Sequence, residues 1–136
     1  MTELNGYKFF FIGVGGIGMS GLARYFRRHG AEVAGYDRTP SEMTNELMRE
    51  GVAVQFNEDP RSIPEEYANA PANEILVVRT PAVPADSALL KYWQERGAKI
   101  MKRAEVLGLI TAERRTVAVA GTHGKTTVST LLAHLL

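Results

Sequence analysis

The sequence predicts an α/β protein with a doubly wound parallel sheet, and three observations carry that prediction. Short apolar or β-branched runs alternate with helical patterns, and the connections between successive runs are too long for hairpins. The apolar run at residues 8–14 leads straight into Gly13, Gly15 and Gly18, spaced Gly-x-Gly-x-x-Gly, where a helical pattern opens. A second run, Thr116–Ala120, leads into Gly121-Thr122-His123-Gly124-Lys125-Thr126-Thr127 and another helical pattern. The first motif makes the sheet Rossmann-like. The second makes the chain end in the first strand and phosphate loop of a truncated further domain.

Lys8 to Val14 is nearly all apolar, as a strand buried on both faces should be. The helix from Ile17 to Arg28 spaces Leu22, Tyr25 and Phe26 helically, leaves Arg24, Arg27 and Arg28 largely on the other side, and stops at Gly30. His29 at its end favours the helix dipole. Glu32 to Tyr36 is the second strand. Thr39-Pro40-Ser41-Glu42 reads as a capping box with proline at the first helical position. That helix runs to Glu50 on Met43, Leu47 and Met48. Val52 to Phe56 is the third strand. Residues 57–73 are polar, with a short helix expected after Ser62, since Ser-Ile-Pro-Glu also fits a capping box. Ile75 to Val78 is the fourth strand. Asp86 caps a helix through Leu89, Leu90 and Trp93, and Gly97 stops it. Lys99 to Met101 is the fifth strand, Ala104 to Ile110 a short helix and Thr116 to Ala120 the sixth strand. Right-handed crossovers place the glycine turn, Asp37 and the loop from Arg79 to Pro84 along one edge of the sheet.

The 136 residues suit one domain, with 45% apolar and 23% charged residues. A net charge of +1 calls for neither nucleic acid nor an anionic membrane as partner. The absence of cysteine removes disulfides, thiolate metal sites and cysteine nucleophiles. No apolar run approaches the roughly 20 residues of a membrane span, and the N-terminus has no signal-peptide pattern, so a cytoplasmic location is expected.

The glycines carry the first site. Gly13 permits a tight turn, Gly15 lets backbone approach a phosphate, and Gly18 lets the helix pack close to the strand. The helix start then offers unpaired N–H groups to an anion. Asp37, 19 positions after Gly18, ends the second strand, where a carboxylate can meet a ribose hydroxyl or a base edge. The loop Arg79-Thr80-Pro81-Ala82-Val83-Pro84 follows the fourth strand at the ligand-binding end of such sheets. In the second motif, backbone N–H groups cradle phosphates, Lys125 reaches the β- and γ-phosphates, and the Thr126 hydroxyl is placed for Mg²⁺. Val119 stands where the usual spacing has another glycine. His123 is read as holding the loop or touching a phosphate.

The two motifs together resemble the Mur ligase family, in its alanine-adding branch. The resemblance rests on residues 13–23, on Lys102-Arg103-Ala104-Glu105-Val106-Leu107 and on residues 117–127. It implies a Rossmann-like domain at 1–114 for the UDP part of a substrate and the start of a central ATPase domain at 115–136. It implies that Gly15, Gly16, Ile17, Gly18, Met19 and Ser20 sit against UDP, with Asp37 near its uridine. Thr80, Pro81 and Ala82 would line the same pocket. Gly121, Thr122, His123, Gly124, Lys125, Thr126 and Thr127 would bind ATP, with Thr126 on Mg²⁺ and Lys125 catalytic. The family often has small hydroxyl residues where this chain has Arg79-Thr80-Pro81. The substrates implied are UDP-N-acetylmuramate and L-alanine, joined through an acyl phosphate in peptidoglycan synthesis.

Two rivals are an NAD(P)-dependent oxidoreductase, for which the second phosphate loop has no use, and a stand-alone nucleotide-binding module. Only nine residues follow Thr127, too few for an ATPase core, so a piece of a longer enzyme is expected. The 136-residue chain is therefore expected to bind a UDP-sugar weakly and to lack ligase activity. ATP turnover by the chain in a phosphate-release assay would overturn this.

Overall fold

The computed structural model describes Leu4 and residues 6–113. The sixth strand, the phosphate loop at Gly121–Thr127, the roles assigned to Lys125 and Thr126, and the domain expected at 115–136 lie outside the described residues. Within them the order is β1 (Lys8–Ile12), α1 (Ile17–Arg28), β2 (Val33–Tyr36), α2 (Glu42–Arg49), β3 (Ala53–Gln55), α3 (Glu65–Ala68), β4 (Ile75–Arg79), α4 (Ala88–Arg96), β5 (Lys99–Lys102) and α5 (Arg103–Glu113). Short 3-10 turns at Pro60–Ser62 and Ala72–Glu74 flank α3.

All five strands are parallel, in the order β3-β2-β1-β4-β5. This is the doubly wound arrangement expected, and its strand order reverses between β1 and β4. Strand β1 is central, and its alternation decides both layers. Phe9 and Phe11 face one core with Leu22 and Phe26 of α1, Leu47 of α2 and Val106 of α5. Phe10 and Ile12 face the other, with Tyr67 of α3 and Leu89 and Trp93 of α4. The Phe9 and Phe26 rings stack with centroids 3.9 Å apart. Arg24 of α1 reaches Glu46 and Glu50, one turn apart near the end of α2, at 2.7 and 3.1 Å. These partly exposed pairs fix helix orientation more than they add stability.

Helix starts differ from expectation in three places. Asp37 Oδ1 accepts the Thr39 N–H at 3.0 Å, so Thr39 belongs to that turn and α2 is capped by Ser41. The capping box is Ser41 with Thr44: Ser41 Oγ accepts from Thr44 N, and Thr44 Oγ1 accepts from Ser41 N. Thr44 and Leu47 are the buried members of α2, while Met48 is exposed. Ser62 is taken up in a 3-10 turn capped by Asp59, and α3 starts at Pro64 without a side-chain cap. In α4 the cap is Ser87, not Asp86, because burial of Leu89, Leu90 and Trp93 sets the register and places the Ser87 Oγ 3.3 Å from Leu90 N. His29 does sit at the end of α1, with Nδ1 2.7 Å from the Tyr25 carbonyl.

The Tyr67 hydroxyl is buried with no partner among the described residues, and burial first, then Glu32 and Glu66, pushes its pKa far above the ordinary tyrosine value. A raised folded-state pKa means the unfolded chain gives up this proton first. The stability it contributes is thus complete below the ordinary value of 10.0 and declines as pH rises above it. Tyr67→Phe should flatten the fall in stability above about pH 10, measured by urea unfolding at several pH values.

Candidate functional site

A cleft of about 700 Å³ opens at the C-terminal edge of the sheet, over the point where strand order reverses. Ile12, Gly13, Gly16 and Met19 form one side, and Tyr36, Asp37 and Arg38 extend it from β2. Thr80, Ala82, Val83 and Pro84 form the wall after β4, with Ser87 and Glu58 closing the far end. The parallel strand order thus brings the glycine turn, Asp37 and the β4 loop together, as their order along the chain anticipated.

The glycine turn is built by backbone bonds. Gly13 has φ 92°, and its N–H and that of Val14 both donate to the Tyr36 carbonyl, at 2.7 and 2.9 Å. The Gly15 N–H donates to Asp37 Oδ2 at 2.7 Å. A Cβ on Gly15 would lie 2.7 Å from that oxygen and 3.0 Å from the Thr44 methyl. Glycine is therefore required at 15 because a carboxylate and a methyl group already occupy the space. With Oδ1 on Thr39 N, Asp37 ties the turn to the start of α2.

Gly18 also has a neighbour of a different kind from the one its spacing suggested. A Cβ there would meet the Arg103 guanidinium, with Nη1 at 2.6 Å, rather than β1. Arg103 opens α5 and lies against the first turn of α1. That turn has no side-chain cap and no acidic residue. Its free N–H groups and the guanidinium create a local positive potential that an anion would neutralise. In the sequence Arg103 stands out only as part of the run Lys102–Leu107. Its approach to Gly18 depends on β5 lying two strands from β1, which spacing along the chain does not show.

The other expected residues divide by position. Gly16, Met19, Asp37, Thr80 and Ala82 line the cleft. Gly15 stands behind it, bonded to Asp37. Ile17 is 90% exposed at the head of α1, and Pro81 is exposed at the tip of its loop. Ser20 is buried and its hydroxyl donates to the Ile17 carbonyl at 3.0 Å. Arg79 has a buried Nε with no partner among the described residues and stands beside Lys102 in register. Glu58, Tyr36 and Ser87 were not anticipated as site residues. Glu58 Oε2 accepts from the Ser87 hydroxyl at 3.2 Å. Burial, then the negative charge of Glu58, raises the pKa of the Tyr36 phenol. No group of three or more His, Cys, Asp or Glu side chains among the described residues could hold a metal ion. No helix among them is long and apolar enough to cross a membrane.

The profile of the Mur ligase family, catalytic domain, matches residues 8–115. The chain belongs to the Mur ligase family. It is 54% identical over 129 residues to the UDP-N-acetylmuramate–L-alanine ligase of Porphyromonas gingivalis, covering 95% of this chain and 28% of that protein. The ligase of the same name from Christiangramia forsetii is 50% identical, over 100% of this chain and 30% of that protein. Among solved structures, the UDP-N-acetylmuramate–alanine ligase of Thermotoga maritima superposes with a TM-score of 0.64 at 28% identity, covering 78% of this chain and 23% of that one. The chain thus spans under a third of the length of these relatives. The family resemblance drawn from the two glycine motifs agrees with this membership.

Gly15→Ala should break the bond to Asp37 and cost about 1–3 kcal/mol in urea unfolding. Gly16→Ala, whose Cβ would meet only the Gly13 carbonyl at 3.5 Å, should stay within about 0.5 kcal/mol of the native chain.

Proposed function

We propose that this chain is the nucleotide-substrate-binding part of an ATP-dependent ligase of peptidoglycan synthesis, which joins L-alanine to UDP-N-acetylmuramate in the cytoplasm. The observation that carries the reading is the cleft at the strand-order reversal, with the uncapped, acid-free first turn of α1 and Arg103 beside it. The names of the most similar relatives support the choice of substrate.

In this reading the diphosphate of the UDP-sugar lies against the N–H groups of Ile17, Gly18 and Met19, and the nucleoside extends across the cleft toward Tyr36 and Thr80. Asp37 holds the turn in shape by accepting the Gly15 N–H, which keeps the neighbouring donors aimed at the ligand. The muramyl carboxylate attacks the γ-phosphate of ATP, ADP leaves, and an acyl phosphate forms. The L-alanine amine then attacks the acyl carbon, and phosphate leaves as the amide forms. Lys125 stabilises charge on the transferring phosphoryl group, and Gly121–Thr127 hold the ATP phosphates. Mg²⁺, when held by the Thr126 hydroxyl and the phosphates, supplies further charge neutralisation. These residues lie outside those described, so their support is the sequence Gly-Thr-His-Gly-Lys-Thr-Thr and the family membership.

Calorimetric titration of the chain with UDP, uridine and NAD tests the reading. UDP should bind at least about tenfold tighter than uridine, since charge-assisted hydrogen bonds are worth roughly 1.5–3 kcal/mol, and NAD should bind more weakly than UDP. Tighter binding of NAD would overturn it. Arg103→Met should weaken UDP by about tenfold and leave uridine unchanged.

A further inference from the structure

Helix α2 lines no part of the cleft, yet it is fastened both to the glycine turn and to α1. Near its end, Glu46 and Glu50 hold Arg24 of α1 at 2.7 and 3.1 Å. At its start, Thr44 lies against the turn. Its methyl is 3.0 Å from the place a Cβ of Gly15 would take, beside Asp37 Oδ2 at 2.7 Å.

Thr44 is fully buried, where an apolar side chain would fill the same space. Its two branches explain the threonine. Oγ1 accepts the Ser41 N–H at 2.8 Å and donates to the Ser41 carbonyl at 2.9 Å, while the Thr44 N–H donates to Ser41 Oγ at 3.2 Å. A capping box usually carries Glu or Gln here, unbranched side chains with no methyl to set on Gly15. In threonine both branches leave one Cβ with a stiff χ1, so the bonds that hold the hydroxyl also hold the methyl in place.

The turn needs such a brace. Gly15 has no side chain to anchor it and more backbone freedom to lose than any other residue. Its N–H reaches Asp37 Oδ2 at 2.7 Å only while its Cα stays put, and α1 begins two residues later. The Thr44 methyl fills the space into which the turn would otherwise shift.

We propose that Thr44 is a positioning residue for anion binding: it touches no ligand, and its methyl holds Gly15 on Asp37 so that the N–H groups at the head of α1 keep their aim. This role rests on the proposed UDP site and makes the start of α2 part of the diphosphate's support.

Titration with UDP and uridine, together with amide hydrogen exchange of the unliganded chain, tests it. Thr44→Ser keeps the capping box and loses the methyl. It should weaken UDP about tenfold, the worth of one displaced charge-assisted hydrogen bond, and leave uridine within about twofold. Its Gly15 amide should exchange about tenfold faster than in the native chain. Thr44→Val keeps the methyl and loses the hydroxyl's bonds. It should melt below the native chain, yet hold UDP within about threefold and leave Gly15 exchange unchanged. Native UDP affinity in Thr44→Ser, an equal loss of UDP and uridine there, or losses in both variants that follow their melting temperatures overturn the role and leave the UDP site standing. Failure of the native chain to bind UDP overturns the site itself and this role with it.

Discussion

Burial of β1 on both faces is the constraint on which the rest of the structure depends. Five residues, Lys8–Ile12, supply Phe9 and Phe11 to one core and Phe10 and Ile12 to the other. A strand with two apolar faces must be covered on both sides, and parallel neighbours joined by helical crossovers do that. β2 and β4 flank it, and the chain returns to it from both directions. Its C-terminal end is thereby the place where the two halves of the sheet part, leaving the cleft over Gly13.

The charges around that cleft follow from the same placement. The Tyr36 carbonyl, at the end of β2, accepts the N–H groups of Gly13 and Val14, so the turn leaves β1 already attached to its neighbour. Asp37 continues this attachment one residue later and carries it on to α2. The turn can then expose the first N–H groups of α1 without collapsing onto them. Arg103 arrives from β5 on one side of the sheet, Glu58 and Ser87 from the other. Arg38 and Glu58 both line the cleft itself, so charges of both signs face it around Tyr36.

Much of the fold was legible in the residues. The bounds of α1, the five strands and the parallel order follow from periodicity, glycine stops and connection length. The exact caps did not. Thr39, Ser62 and Asp86 are all good caps by type, yet each lies one or two residues before the cap position that burial and competing hydrogen bonds impose. Met48 looked like a core member of α2, but Thr44 takes that place because its hydroxyl is satisfied by Ser41. In the site, the position of the glycine turn and its closeness to Asp37 were legible. The partners that make glycine necessary were not. Gly15 is hemmed in by Asp37 and Thr44, and Gly18 by Arg103, contacts that span 22 to 85 residues of chain.

What the sequence determined by itself is the set of local choices: strand and helix by periodicity, turns by glycine and proline, and two glycine-rich motifs placed between strand and helix. From those came the fold class and the family. Only the tertiary structure decided which groups meet at the sheet edge. It made Asp37, which also lines the cleft, a clasp on the glycine turn, laid Arg103 on Gly18, and brought Glu58 to Ser87. The reason is physical: local pattern specifies the conformation of each segment, whereas the close approach of side chains from separate crossovers is set by how the helices pack on the two faces of one sheet.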